Sequence, residues 1–130
     1  MQDRYLNINE CIDRLYLDWE RHGKLLIAFD FDDTVYDFHR KGDTFPEVIQ
    51  LLQEAKAQGH TLILFTGNGD IGLLQQFCKD NDLIGDIYLN ESPVSQSRKP
   101  YYNILLDDRA GLQQSCEILA TVMKIIGEKI

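Results

Sequence analysis

The chain has 130 residues, of which 44% are apolar and 26% charged, with a formal net charge of −8. That length suits one domain, 1–130, with a sheet covered by helices on both faces. The acidic balance argues against non-specific nucleic-acid binding, which depends on basic surface, yet it leaves room for a local basic patch toward a phosphorylated substrate.

Tyr5, Ile8, Ile12, Leu15 and Trp19 recur at steps of three and four, which predicts an N-terminal helix over residues 4–20, stopped by Gly23. We expect this segment, residues 1–22, to pack on the rest of the domain. A strand is expected at about Lys24 to Phe29. Phe45-Pro46-Glu47 opens a second helix, with Thr44 placed to N-cap it, Pro46 suited to its first turn and Gly59 ending it. A second strand covers Thr61 to Phe65, and a helix about Asp70 to Lys79 follows. A short third strand, Asp86 to Leu89, leads into a polar loop from Asn90 to Lys99. The fourth strand is Tyr102 to Leu106, and a last helix runs from about Ala110 to Ile126.

Strands alternating with helices through short connections predict a mostly parallel α/β sheet. No apolar stretch approaches the roughly 20 residues of a membrane span. The N-terminus lacks a basic region followed by an apolar core, so no signal peptide is expected. Cys11, Cys78 and Cys116 are far apart and form no Cys-x-x-Cys, as in a reduced, cytoplasmic protein. His22 and His60 fall at expected helix ends, where a surface position is the simplest reading. Tyr101 and Tyr102 are read as packing residues.

Chemistry gathers at the strand ends. Leu25-Leu26-Ile27-Ala28-Phe29 runs into Asp30-Phe31-Asp32-Asp33-Thr34, Thr61 to Phe65 into Thr66-Gly67-Asn68, and Asn103 to Leu106 into Asp107-Asp108-Arg109. Carboxylates at the exit of a buried strand repel one another and lose hydration, so a fold holds them best around a cation. Asp30, Asp32, Asp107 and Asp108, with no clustered His or Cys, make an oxygen-only set that suits Mg²⁺, whose usual further ligands are phosphate and water. Thr66, Gly67 and Asn68 stand where a helix begins and can receive a phosphate oxygen; the alternative for Thr66 is a helix cap. Lys99 is a lone cation upstream of the fourth strand, either a charge for the site or a solvated lysine.

These motifs together resemble the haloacid dehalogenase-like (HAD) phosphohydrolases over residues 24–112. The match lies in Asp30 to Thr34, in Thr66, in Lys99 and in the pair Asp107-Asp108, in the family's order. The resemblance implies a three-layer Rossmannoid fold with strand order 3-2-1-4 and a Mg²⁺-dependent phosphatase. It assigns Asp30 as the nucleophile that becomes an aspartyl-phosphate, and Asp32 as acid and base, with neighbouring carboxylates raising its pKa. Asp30, the backbone carbonyl of Asp32 and Asp108 would bind the metal, with Asp107 in support. Lys99 would offset the charge of the phosphoryl group. Asp33 stands where many members carry glycine, and it is expected to orient the loop without touching phosphorus.

The gaps between motifs are too short for a cap domain, so a capless type is implied. In the first gap, His39-Arg40-Lys41 is either a solvated charge run or a contact for an anionic substrate, with Gly42 as its hinge. Two rival readings remain. Gly67-Asn68-Gly69-Asp70-Ile71-Gly72, with Glu91 beyond it, is a literal dinucleotide-binding fingerprint. An HAD-like domain that only binds is the other. The last helix carries a second apolar stripe, Ile118, Val122 and Ile125, which packs against the terminal helices or joins two copies in a homo-oligomer.

Overall fold

The chain's own alternation of apolar runs and amphipathic segments sets its architecture, described by a computed structural model for residues 3–83 and 87–130. A 3-10 turn, Arg4–Leu6, precedes helix α1, Ile8–His22. Asn7 separates them, its extended backbone and side chain capping the Asn9 N–H. Gly23 closes α1 in the left-handed region at φ 78°, returning its N–H to the Trp19 carbonyl. Then come β1 (Leu26–Asp30), α2 (Pro46–Ala57), β2 (Thr61–Phe65), α3 (Ile71–Asp80), β3 (Ile87–Leu89), β4 (Ile104–Leu106) and α4 (Leu112–Lys129). Asp86, the expected start of the third strand, lies outside the described residues.

The sheet is all parallel and open, in the order β3-β2-β1-β4. Three boundaries differ from expectation for identifiable reasons. Pro46 keeps the residue before it out of the right-handed helical region, so α2 starts at Pro46; Phe45, at φ 49°, stands at the N-cap without a side-chain bond, leaving Thr44 uninvolved. A turn at residues 107–110 delays α4 to Leu112, with Gly111 at φ 68° before it. Asn103 spends its side chain on cross-links instead of extending β4: its Oδ1 accepts the Leu26 N–H at 2.6 Å, and its Nδ2 donates to Asp18.

The layering also departs from the sandwich that the length suggested. Alternate strand residues Ile27, Phe29, Leu62, Leu64, Ile104 and Leu106 join one large core with the buried side chains of all four α-helices. The opposite face carries a small cluster of Leu26, Ala28 and Ile63, flanked by Phe65, Tyr102 and Leu105, and none of its members belongs to a helix. Chain geometry explains the asymmetry. The β1–α2–β2 and β2–α3–β3 crossovers step in one direction, so right-handed connections place α2 and α3 on one face. The return from β3 to β4 crosses the other face, and there residues 90–103 form a polar crossover too short and too rich in Ser and Pro for a helix.

Two more expectations change. His60 is buried at 1% exposure, its Nδ1 accepting the Leu25 N–H and its Nε2 paired with Gln58. A helix end that abuts the next buried strand is not a surface. On α4, Ile118 and Val122 are buried along with Leu119, Met123 and Ile126, and α1 packs along α4, so most of the second stripe is covered within the chain. Among the described residues no helix is long and apolar enough to cross a membrane.

Candidate metal and phosphate site

Parallel strands deliver their carboxyl ends to one side of a sheet, and ligands bind there where the strand order reverses. Here the reversal falls between β1 and β4, which are neighbours. Asp30 ends β1, and Asp107 and Asp108 follow β4. One carboxylate oxygen from each of these three residues lies within 4.8 Å of the others.

A buried hydroxyl joins them. Thr34 is fully buried, and its Oγ1 stands 3.3 Å from Asp30 Oδ2 and 3.2 Å from Asp108 Oδ1 while accepting the Asp108 N–H. With a single proton it donates to one carboxylate at a time. The turn that carries it is wound on the Phe31 carbonyl, which accepts the N–H groups of Thr34, Val35 and Tyr36. Stacking of Phe31 on Tyr36, with Phe77 of α3 edge-on to both, fastens the turn to the core. Sequence reasoning quoted Thr34 within the motif but gave it no place in the site. The signal available was its spacing, four residues beyond Asp30.

The electrostatics follow from this crowding. Burial, then the Asp108 carboxylate that a protonated Asp30 can bond, then the charge of Asp107 push the Asp30 pKa from 3.8 to about 7. The crowded carboxylates are thus Asp30, Asp107 and Asp108. Asp32 sits apart, half-buried, its Oδ1 accepting from Asn68 Nδ2 at 3.2 Å.

That bond ties the β1 turn to the β2 turn. Asn68 also gives its N–H to Thr66 Oγ1 and accepts the Asp70 N–H, so Thr66 caps a turn while Asp70 caps α3. Asn90, which the sequence reading passed over, clasps the Thr66 backbone from the end of β3: its Oδ1 accepts the Thr66 N–H and its Nδ2 donates to the Thr66 carbonyl. Its φ of 54° is a conformation asparagine tolerates better than most residues. Asp108 does not cap the last helix, since Gly111 occupies the N-cap of α4. Asp107 instead accepts the Arg109 N–H within its own turn.

Asp33 adopts φ 61°, a strain that glycine would avoid, and its carboxylate holds His39 Nδ1. His39 is therefore tied back to the loop, while Asp37 accepts the N–H groups of Lys41 and Gly42, and Arg40 and Lys41 stay exposed. Lys99 is exposed on the crossover and, among the described residues, pairs with no aspartate; it lines a groove beside α1. The glycine run lacks the constraints of a dinucleotide fingerprint. Gly67, Gly69 and Gly72 need no positive φ, and a Cβ at Gly72 would meet only the Asp70 side chain at 3.7 Å, not a strand.

No family model and no curated protein matches the chain. Its structure is similar to that of a conserved protein coded by a locus of Bacteroides thetaiotaomicron, at a TM-score of 0.58 and 24% identity over 82% of this chain and 93% of that one. The likeness is one of fold.

Proposed function

We propose that the chain is a Mg²⁺-dependent phosphomonoester hydrolase of the HAD-like, capless type, working through Asp30. The observation that carries this reading is the convergence of Asp30, Asp107 and Asp108 at the reversal point of a parallel sheet, bridged by a buried threonine. Three carboxyl groups with no nitrogen or sulfur donor form a set suited to a hard cation, and their mutual repulsion is what a cation would relieve. Asp30, Asp108 and the Asp32 backbone carbonyl would hold the ion, with Asp107 in support. When bound, Mg²⁺ would neutralise charge on the transferring phosphoryl group.

The remaining steps belong to the chain. Asp30, deprotonated, attacks phosphorus and becomes an aspartyl-phosphate as the substrate oxygen leaves. Asp32 protonates that oxygen and then takes a proton from the water that cleaves the acyl phosphate. Thr66, with the backbone of Gly67 and Asn68, offers the phosphate its polar atoms, and Asn90 keeps that turn in place. Lys99 has no role in this reading, because the structure pairs it with none of these groups. Residues 31–45, between β1 and α2, hold no helix or regular strand, so no cap rises there.

The test is hydrolysis of an aryl phosphate with and without Mg²⁺. Turnover should require the ion and vanish in Asp30→Asn, and beryllofluoride should bind wild type stably in place of the phosphoryl group. Full activity in Asp30→Asn would remove the mechanism.

A further inference from the structure

Along the free edge of β4 a groove of about 710 Å³ opens between α1 and the 90–103 crossover. Small-molecule sites commonly enclose about 300–1,000 Å³, so the recess suits a ligand larger than a bare ion. Its lining includes Arg14 from α1 and Lys99 from the crossover. Among the described residues, the ion pairs are His39–Asp33 and Lys56–Asp82, so no carboxylate neutralises either cation. The carboxylate in the groove, Asp18, is engaged by Asn103 Nδ2. Two cations against one carboxylate in a single recess are notable in a chain of net charge −8. Aromatic surface accompanies them. The Arg14 guanidinium lies 4.9 Å from the centroid of the Tyr5 ring, and Tyr101, also in the groove, remains 47% exposed.

We propose that this groove binds a small phosphorylated ligand that carries an aromatic ring, of the size of a nucleoside monophosphate. The anionic group sits between Arg14 and Lys99, where charge-assisted hydrogen bonds are strongest. The ring lies against the tyrosines. The recess between α2 and α4 fits this chemistry less well, being lined by Glu47, Glu117 and apolar side chains. None of Asp30, Asp107 and Asp108 lines this groove, and the proposal does not depend on the phosphatase reading.

Calorimetry with AMP in EDTA at low salt tests it, with ribose 5-phosphate and adenosine as partial ligands. AMP should bind, each partial ligand about tenfold or more weaker, and Arg14→Ala with Lys99→Ala should weaken AMP by about tenfold or more. Lys99→Glu, on an exposed loop position that cannot disturb the core, should abolish binding, while Asp30→Asn should leave it intact. Unchanged affinity in the double variant overturns the proposal, as does no binding at millimolar AMP. Loss of binding in Asp30→Asn but not in the double variant overturns it too, by placing AMP at the carboxylates. Equal affinity for ribose 5-phosphate removes the role of the tyrosines.

Discussion

Asp30 is held at a cost to the metal-free fold. Its carboxyl is raised to about 7, so at pH 8 it must ionise against burial and against Asp107 and Asp108. Asp30→Asn removes the charge and keeps the shape. We expect that variant to be more stable than wild type without metal at pH 8, by about 1–3 kcal/mol after allowing for solvent screening. Urea titrations in EDTA check this; equal stability would mean that the three carboxylates do not strain one another. Thr34 works in the opposite sense. Thr34→Val leaves the Asp108 N–H without its acceptor and the Asp30–Asp108 pair without the one proton they share, so it should cost about 1–3 kcal/mol and slow aryl phosphate turnover. A variant of wild-type stability and rate would show the hydroxyl to be idle. The three aspartates were legible as residues, since each stands at a strand end. Thr34 was not, because its value lies in reaching Asp108, 74 positions away in the chain.

At the scale of elements, helix positions followed from hydrophobic period and from Gly23, Pro46 and Gly59, while the strand order was implied by the family resemblance alone. The placement of the helices on one face did not. A length that permits helices on both faces says nothing about whether the β3–β4 crossover will form one. Composition did hold a hint: residues 90–103 include Pro93, Pro100 and Ser92, Ser95 and Ser97, poor helix formers in a row. The crossover is therefore held by particular bonds. Asn103 is the main one, joining β1 through the Leu26 N–H and α1 through Asp18. Asn103→Ala should cost about 1–3 kcal/mol and speed amide exchange at Leu26 more than at Leu62. Uniform exchange at the two positions would mean that the crossover is held elsewhere. The Thr66 turn is likewise fixed by Asn90 from β3, a partnership that local motif reading cannot supply.

For the whole molecule, the buried His60 and the half-buried Asp30 pull stability in opposite directions as pH changes. His60 accepts the Leu25 N–H on Nδ1, which requires that nitrogen to be unprotonated, and burial lowers its pKa from 6.5 to about 4. The unfolded chain then binds the extra proton between those values. Its contribution is complete above about pH 6.5 and is lost as pH falls to about 4, by an amount on the order of 3 kcal/mol. Asp30 behaves inversely. Its folded pKa is raised, so the folded state binds the extra proton between 3.8 and about 7, and stability falls as pH rises through that window. Without metal the two slopes offset each other between about pH 4 and 6.5. Wild type should therefore show a shallow profile there. His60→Asn, whose amide oxygen can accept the Leu25 N–H, should expose the downward slope of Asp30. Asp30→Asn should expose the upward slope of His60. Mg²⁺ should flatten the Asp30 limb by favouring the ionised carboxylates, raising the melting temperature most near pH 8. Thermal melts of the three proteins across pH 4 to 8, with and without Mg²⁺, separate these effects. Parallel profiles for wild type and both variants would show that neither group is linked to folding.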